Sequence, residues 1–203
     1  MASKKVLITG FEPFGGASFN PSGAVVEEIA EHGIVGVEIV TAVLPVEFKR
    51  SSKILIDLIT THKPSVVIAL GQAEGRDFIG PEQVAINLAD ARIADNVGVK
   101  LENQPINTGA ADGYFSTLPI RVIVDAISTL GINAKVSYSA GAFICNEIFF
   151  SAQLFLQGSD VISGFIHLPL VPNQAAEFPG LRTMPLADQV AAIRAAIQVS
   201  VDV

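Results

Sequence analysis

Short, continuously apolar runs alternate along this chain with longer runs in which apolar positions recur every three or four residues. The short runs fall at 5–11 (KVLITGF), 37–44, 66–70, 84–88, 135–139 and 164–168. They have the length of strands, and several lack polar alternation, as expected for strands covered on both faces. The longer runs predict helices. One opens at Asn20-Pro21-Ser22 and closes at His32-Gly33, with Gly33 as its C-cap. A second, over 47–62, stops at Lys63-Pro64, because a residue before proline avoids helical geometry. A third spans 117–130, with Pro119 in its first turn and Gly131 at its end. Runs at 142–156 and 186–199 complete the set. Alternation of this kind specifies an α/β fold: a three-layer open sandwich with a mixed, largely parallel twisted sheet flanked by helices. The expectation is one catalytic domain over 1–203, since no repeat, linker or low-complexity segment divides the sequence.

Composition narrows the partners. Half of the residues are apolar and 16% are charged, which excludes a disordered chain. The mean hydropathy of +0.49 is high for a soluble protein. The most apolar run, 142–156 (AFICNEIFFSAQLFL), is nevertheless too short to span a bilayer and carries Asn146, Glu147 and Gln153. A sheet buried on both faces, with apolar contacts between subunits, accounts for the hydropathy better. The net charge is −7, with no Lys/Arg cluster, so neither nucleic acid nor an anionic membrane is the expected partner. Lys4 and Lys5 lead straight into a strand pattern rather than a signal-peptide core, and the expected location is the cytoplasm. A single cysteine excludes an internal disulfide and any multi-thiolate metal site.

In α/β sheets ligands bind beyond the carboxyl ends of the strands. Three segments lie at those ends: Gly10–Gly16 (GFEPFGG), Gly71–Arg76 (GQAEGR) and Ala140–Asn146 (AGAFICN), with His167 near the end of a fourth strand. Cys145 falls in the first turn of a helix, where unpaired N–H groups and the dipole favour a thiolate and could receive an oxyanion. A lone cysteine is more often a small buried hydrophobe, and position is what argues otherwise here. Of three histidines, His32 and His62 close helices, where a cation is favourable in any case. His167 lies in GFIHLPL among apolar neighbours at the ligand edge, as a core histidine or as a base for the thiol. The carboxylate that would orient such a base is open among Glu12, Glu74, Asp77, Glu82, Asp90 and Asp95. The glycine-rich GFEPFGG matches no phosphate-binding spacing and has no lysine. It sets Phe11 and Phe14 beside flexible backbone, as core or as walls for a small, flat, uncharged group.

These segments together resemble the pyrrolidone-carboxylate peptidase (pyroglutamyl-peptidase I) family of cysteine peptidases. The resemblance runs from VLITGFEPFGG through GQAEGRDFIGPEQVAINLADARIADN, GYFSTLPI and VSYSAGAFICNEIFF to GFIHLPLVPNQ. It implies hydrolysis after an N-terminal pyroglutamyl residue, with Cys145 as nucleophile, His167 as base and Glu82 as the orienting carboxylate. It implies that Phe11, Phe14 and Gln72 hold the pyroglutamyl ring, and that Arg92 acts near the substrate, positioning the catalytic loop or the oxyanion region. It further implies an open α/β sandwich, no cofactor and a homo-oligomer, a tetramer or dimer. Ala110 and Ile144 depart from residues frequent in relatives, proline and valine; neither removes a catalytic group. Two other readings stand beside this one. A cysteine amidase acting on another small amide would be separated by its substrates, and a nucleotide-binding module by binding without hydrolysis.

Overall fold

The computed structural model describes residues 4–203; residues 1–3, where the start of the chain bears on the signal-peptide reading, lie outside the described residues. A five-stranded sheet forms the middle layer. Its strands are β1 (Lys4–Phe11), β2 (Val37–Leu44), β3 (Val66–Gln72), β4 (Gly80–Pro81) and β7 (Ile162–Leu168). They are ordered β2-β1-β3-β7-β4, all parallel except β4, which runs antiparallel to β7. A separate two-stranded antiparallel sheet joins β5 (Val84–Ile86) to β6 (Gly113–Phe115). The helices are α1 (Pro21–His32), α2 (Arg50–His62), α3 (Ile120–Thr129), α4 (Ile144–Phe155) and α5 (Leu186–Val201).

Because side chains alternate across a strand, each central strand feeds two cores. Val6, Ile8, Val66, Ile68, Ile166 and Leu168 point to the face covered by α1, α3 and α5. Leu7, Phe11, Val67, Ala69 and Phe165 point to the other face, covered by α2 and α4. Burial on both sides explains the continuously apolar strands. The same alternation places Gly71 and His167, each two residues beyond one of these, on the α4 face.

The helix over 20–33 forms as the sequence predicts, since Asn20 accepts the Ser22 N–H at 3.1 Å and Gly33 ends it with a φ of 60°. Others are trimmed. The helix expected from 47 begins at Arg50, because Lys49 takes a positive φ of 62°. The one expected from 117 begins at Ile120. Thr117 is instead tied to β7, donating its N–H to Ser163 O at 2.9 Å and accepting the Ser163 N–H at 2.7 Å. Pro119 becomes the N-cap rather than a first-turn residue. The strand expected at 135–139 is replaced by isolated bridges, Ile79 to Ala134 and Glu82 to Ser137. That expected at 84–88 shortens to β5 and leaves the main sheet.

Candidate active site

Strand β7 carries His167 at its carboxyl end, in register with Gly71 of β3 on one side and Gly80 of β4 on the other. The chain leaves β4 directly into Glu82, whose N–H donates to Phe165 O at 2.9 Å. This puts the Glu82 carboxylate, with 0% exposure, beneath the imidazole of His167, 4% exposed. His167 Nδ1 donates to Glu82 Oε1 at 2.7 Å, a charge-assisted contact that fixes both tautomer and ring orientation. The other nitrogen, Nε2, is left for the cavity that His167 lines.

Cys145 is the second residue of α4. The chain reaches it through Gly141, whose φ of 77° favours glycine, and through Ala142, whose carbonyl accepts the Asp90 N–H at 2.9 Å. Asn146 then fastens the helix. Fully buried, it accepts the Ile86 N–H at 3.0 Å and donates to the carbonyls of Ile86 at 2.8 Å and Leu88 at 3.0 Å. Opposite, Gly71 makes room for the thiol: a Cβ there would lie 2.8 Å from Cys145 Sγ and 2.7 Å from the Phe165 ring.

Cys145 and His167 both line a cavity of about 330 Å³, together with Phe14, Gln72, Glu74, Asp90 and Arg92. A narrower, mostly apolar recess opens beside it, walled by Phe11, Phe14, Val46, Phe143, Ile144 and Cys145, with Asn20 and Gln72 among them. Phe143 anchors that wall. Its ring meets Phe48 edge-on at 5.3 Å and Phe14 at 6.2 Å. The departure at Ile144 thus falls in the recess itself.

The electrostatics differ in one respect from the sequence expectation. Burial, and secondarily the Glu82 charge, push the Cys145 thiol up to about 12, outweighing Arg76 and the cysteine's own N–H. The first turn of α4 therefore does not hold a resting thiolate. Burial also lowers the His167 pKa, against the pull of Glu82, so the imidazole is neutral at pH 7. Burial alone would raise Glu82, but His167, Ser137 and Arg76 together bring it below the ordinary carboxylate value. The shifts of Cys145 and His167 both run against a preformed thiolate–imidazolium pair.

The six acids open in the sequence now separate. Glu12 accepts from Asn96 Nδ2 at 2.9 Å, Asp77 from Arg182 at 3.2 Å, Asp90 from the Asn103 N–H at 3.2 Å and Asp95 from the Phe48 N–H at 3.0 Å. Glu74 lies on the cavity wall, and only Glu82 meets His167. Arg92 is exposed at the cavity rim. His32 and His62 sit in the last turns of α1 and α2. Sequence reasoning missed Arg76, which donates to Glu82 Oε1 at 2.8 Å and to Ser139 O at 3.1 Å. It also missed Asn146 and Gln174. Arg76 closes the GQAEGR segment already singled out at a strand end, and that was its one signal. Among the described residues, no group of three His, Cys, Asp or Glu side chains could hold a metal ion.

A family model described as pyroglutamyl peptidase matches residues 4–203. The chain is 44% identical over 173 residues to a pyrrolidone-carboxylate peptidase of Vibrio vulnificus (strain YJ016), covering 85% of this chain and 82% of that one. It is 43% identical over 200 residues to that of Erwinia tasmaniensis, covering 98% and 94%. The crystal structure of pyroglutamyl peptidase I from Bacillus amyloliquefaciens superposes with a TM-score of 0.94 at 37% identity, over 98% of each chain.

Proposed function

The chain belongs to the pyroglutamyl peptidase family, and we propose that Cys145, His167 and Glu82 carry its hydrolysis of the amide bond after an N-terminal pyroglutamyl residue. The observation that carries this reading is the buried Glu82–His167 pair, 2.7 Å apart, at the wall of a cavity shared with the only cysteine. The His167 imidazole takes the Cys145 proton as sulfur attacks the pyroglutamyl carbonyl. N–H groups at the start of α4 receive the oxyanion. The imidazolium then protonates the leaving amine, and water activated by the same imidazole hydrolyses the thioester. Glu82 stabilises the imidazolium without exchanging the proton.

Phe11 and Phe14 flank the pyroglutamyl ring in the recess, Gln72 addresses its polar edge, and Arg92, at the cavity rim, positions the catalytic loop or the oxyanion region. A free α-ammonium would be desolvated in that recess without a partner, which accounts for selectivity toward the uncharged lactam. The same reading takes the whole chain as one catalytic domain, needing no cofactor. Pairing of β1 with β3 and of β3 with β7 supports this, since it joins both halves of the sequence in one sheet. It also takes the protein to be cytoplasmic; among the described residues no helix is long and apolar enough to cross a membrane. Finally, it takes the chain to be a homo-oligomer, dimer or tetramer. Phe115 at 70% and Tyr138 at 66% exposure support that, on segments that both hydrogen-bond to the backbone of Gln83.

The test is release of a chromophoric amine from pyroglutamyl-anilide by the wild type, an iodoacetamide-treated sample and Cys145→Ser. Turnover abolished in both, with the fold intact by circular dichroism, is expected. Turnover by a folded Cys145→Ser protein would overturn the assignment of the nucleophile.

A further inference from the structure

We propose that Gln174 is a specificity-determining positioning residue: it sets the orientation of the Gln72 amide so that the recess beside Cys145 presents a hydrogen-bond donor. The inference rests on the reading of that recess as the pyroglutamyl pocket.

Gln174 ends a short 3-10 turn, Pro172–Gln174, just beyond β7, and its exposure is 0%. Its Oε1 accepts the Val171 N–H at 3.1 Å. Its Nε2 donates to Phe19 O at 3.1 Å and to Gln72 Oε1 at 2.9 Å. A carboxamide's oxygen and nitrogen are assigned by their partners, and here both outer partners are backbone groups that cannot exchange roles. An N–H only donates and a carbonyl only accepts. Turning the Gln174 amide over would set N–H against N–H at Val171 and oxygen against oxygen at Phe19. Its orientation is therefore fixed, and the atom facing Gln72 is a donor.

Gln72 must answer with its oxygen, which sends its own nitrogen the other way. Gln72 is 7% exposed and lines both the cavity and the recess. Its Nε2 is buried and has no hydrogen-bond partner among the described residues. The wall of the recess thus contains, at Gln72, a donor with no partner among the described residues. A ring bearing a carbonyl satisfies it; a ring of the same size without one leaves it unpaired, at a cost of roughly 10- to 100-fold in binding. Gln174 touches no substrate in this arrangement. It acts by deciding which end of Gln72 the substrate meets, and through Phe19 it ties that choice to the glycine-rich loop that carries Phe14.

The experiment compares the wild type with Gln174→Met, Gln174→Glu, Gln72→Met and the double variant Gln72→Met/Gln174→Met. Three quantities are read: the rate of Cys145 alkylation by iodoacetamide, its protection by 2-pyrrolidone, and kcat/KM for pyroglutamyl-anilide. Alkylation without 2-pyrrolidone reads chiefly the thiol and His167, since it needs no ring seated in the recess. Gln174→Met is expected to leave that rate within about twofold, while protection and kcat/KM each fall about 10-fold or more. Gln174→Glu, which cannot donate to Gln72, should fall further, because Gln72 then turns its nitrogen to the carboxylate and presents oxygen to the lactam carbonyl. The double variant should match Gln72→Met alone, since Gln174 acts through Gln72. Protection unchanged in both Gln174 variants, additive losses in the double variant, or an equal fall in plain alkylation would each overturn the proposal. A wild type that is neither protected by 2-pyrrolidone nor active on pyroglutamyl-anilide would instead refute the reading of the pocket. If Gln174→Met does not fold, the isosteric Gln174→Glu variant decides.

Discussion

A single guanidinium sits behind the Glu82–His167 pair. Arg76 holds Glu82 Oε1 at 2.8 Å, the same oxygen that His167 uses, and its charge acts on all three groups. It lowers Glu82, Cys145 and His167 alike. Arg76→Met should therefore raise the His167 pKa and move the acid limb of kcat/KM to higher pH, toward the ordinary imidazole value of about 6.5. KM should change little, because Arg76 is absent from both the cavity and the recess walls. A pH–rate profile from pH 4 to 9 checks this, and an unmoved acid limb would show Arg76 to be structural only. Cys145 and His167 were legible because one is the only thiol and the other the only histidine away from a helix end. Glu82 was not selected by spacing, since six acids stood near the strand ends and only the resemblance preferred one. Arg76, Asn146 and Gln174 were missed because each acts by bonding to another buried group, a role with no periodic signature in a sequence.

Among the elements, α4 carries Cys145, the proposed nucleophile, and one buried side chain fastens its first turn. Asn146 joins it to β5, only two residues beyond Glu82. Asn146→Ala would strand a part-buried N–H and two part-buried carbonyls, for a loss of about 2 kcal/mol. Urea unfolding should register that loss, and kcat should fall more than residual folding explains, as Cys145 drifts from His167. Equal losses in both would mean that Asn146 is only a fold determinant. The elements that formed as the pattern predicts are those whose ends are decided locally, such as α1 with Asn20 and Gly33. Those that shifted are decided by distant partners. Lys49 is turned out of α2 where its N–H meets Glu147 Oε1 at 2.9 Å. The two-residue β4 is Gly-Pro, a composition that reads as a turn, and it is a strand only because β7 lies beside it.

At the scale of the molecule, the buried titrating groups make stability depend on pH. The pKa values of Glu82 and His167 are lower in the folded chain than in the unfolded one. Their contribution is complete above the unfolded values and is lost as pH falls through the folded ones. Glu147 has the opposite sign: burial raises it, so its contribution is complete at low pH and is lost as pH rises. The unfolding temperature should fall as pH drops below about 6.5, where the unfolded histidine takes up a proton that the buried one resists. Glu147→Gln, which can still accept from Lys49 and Ser52, should raise the unfolding temperature at pH 7 and leave it nearly unchanged at pH 4. Scanning calorimetry of both proteins across that range is the check. A variant less stable at pH 7 would show that the charged carboxylate supports the fold.

The position of β7 has a consequence for synthesis. His167, the proposed base, lies on a strand that pairs with β3, nearly a hundred residues earlier, and with β4, whose next residue is Glu82. A nascent chain has its thiol well before it has its imidazole. Until β7 slides into place, Cys145 is a lone sulfhydryl with no partner to take its proton. On the proposed assignment, a chain whose sheet is unfinished has no activity against its neighbours.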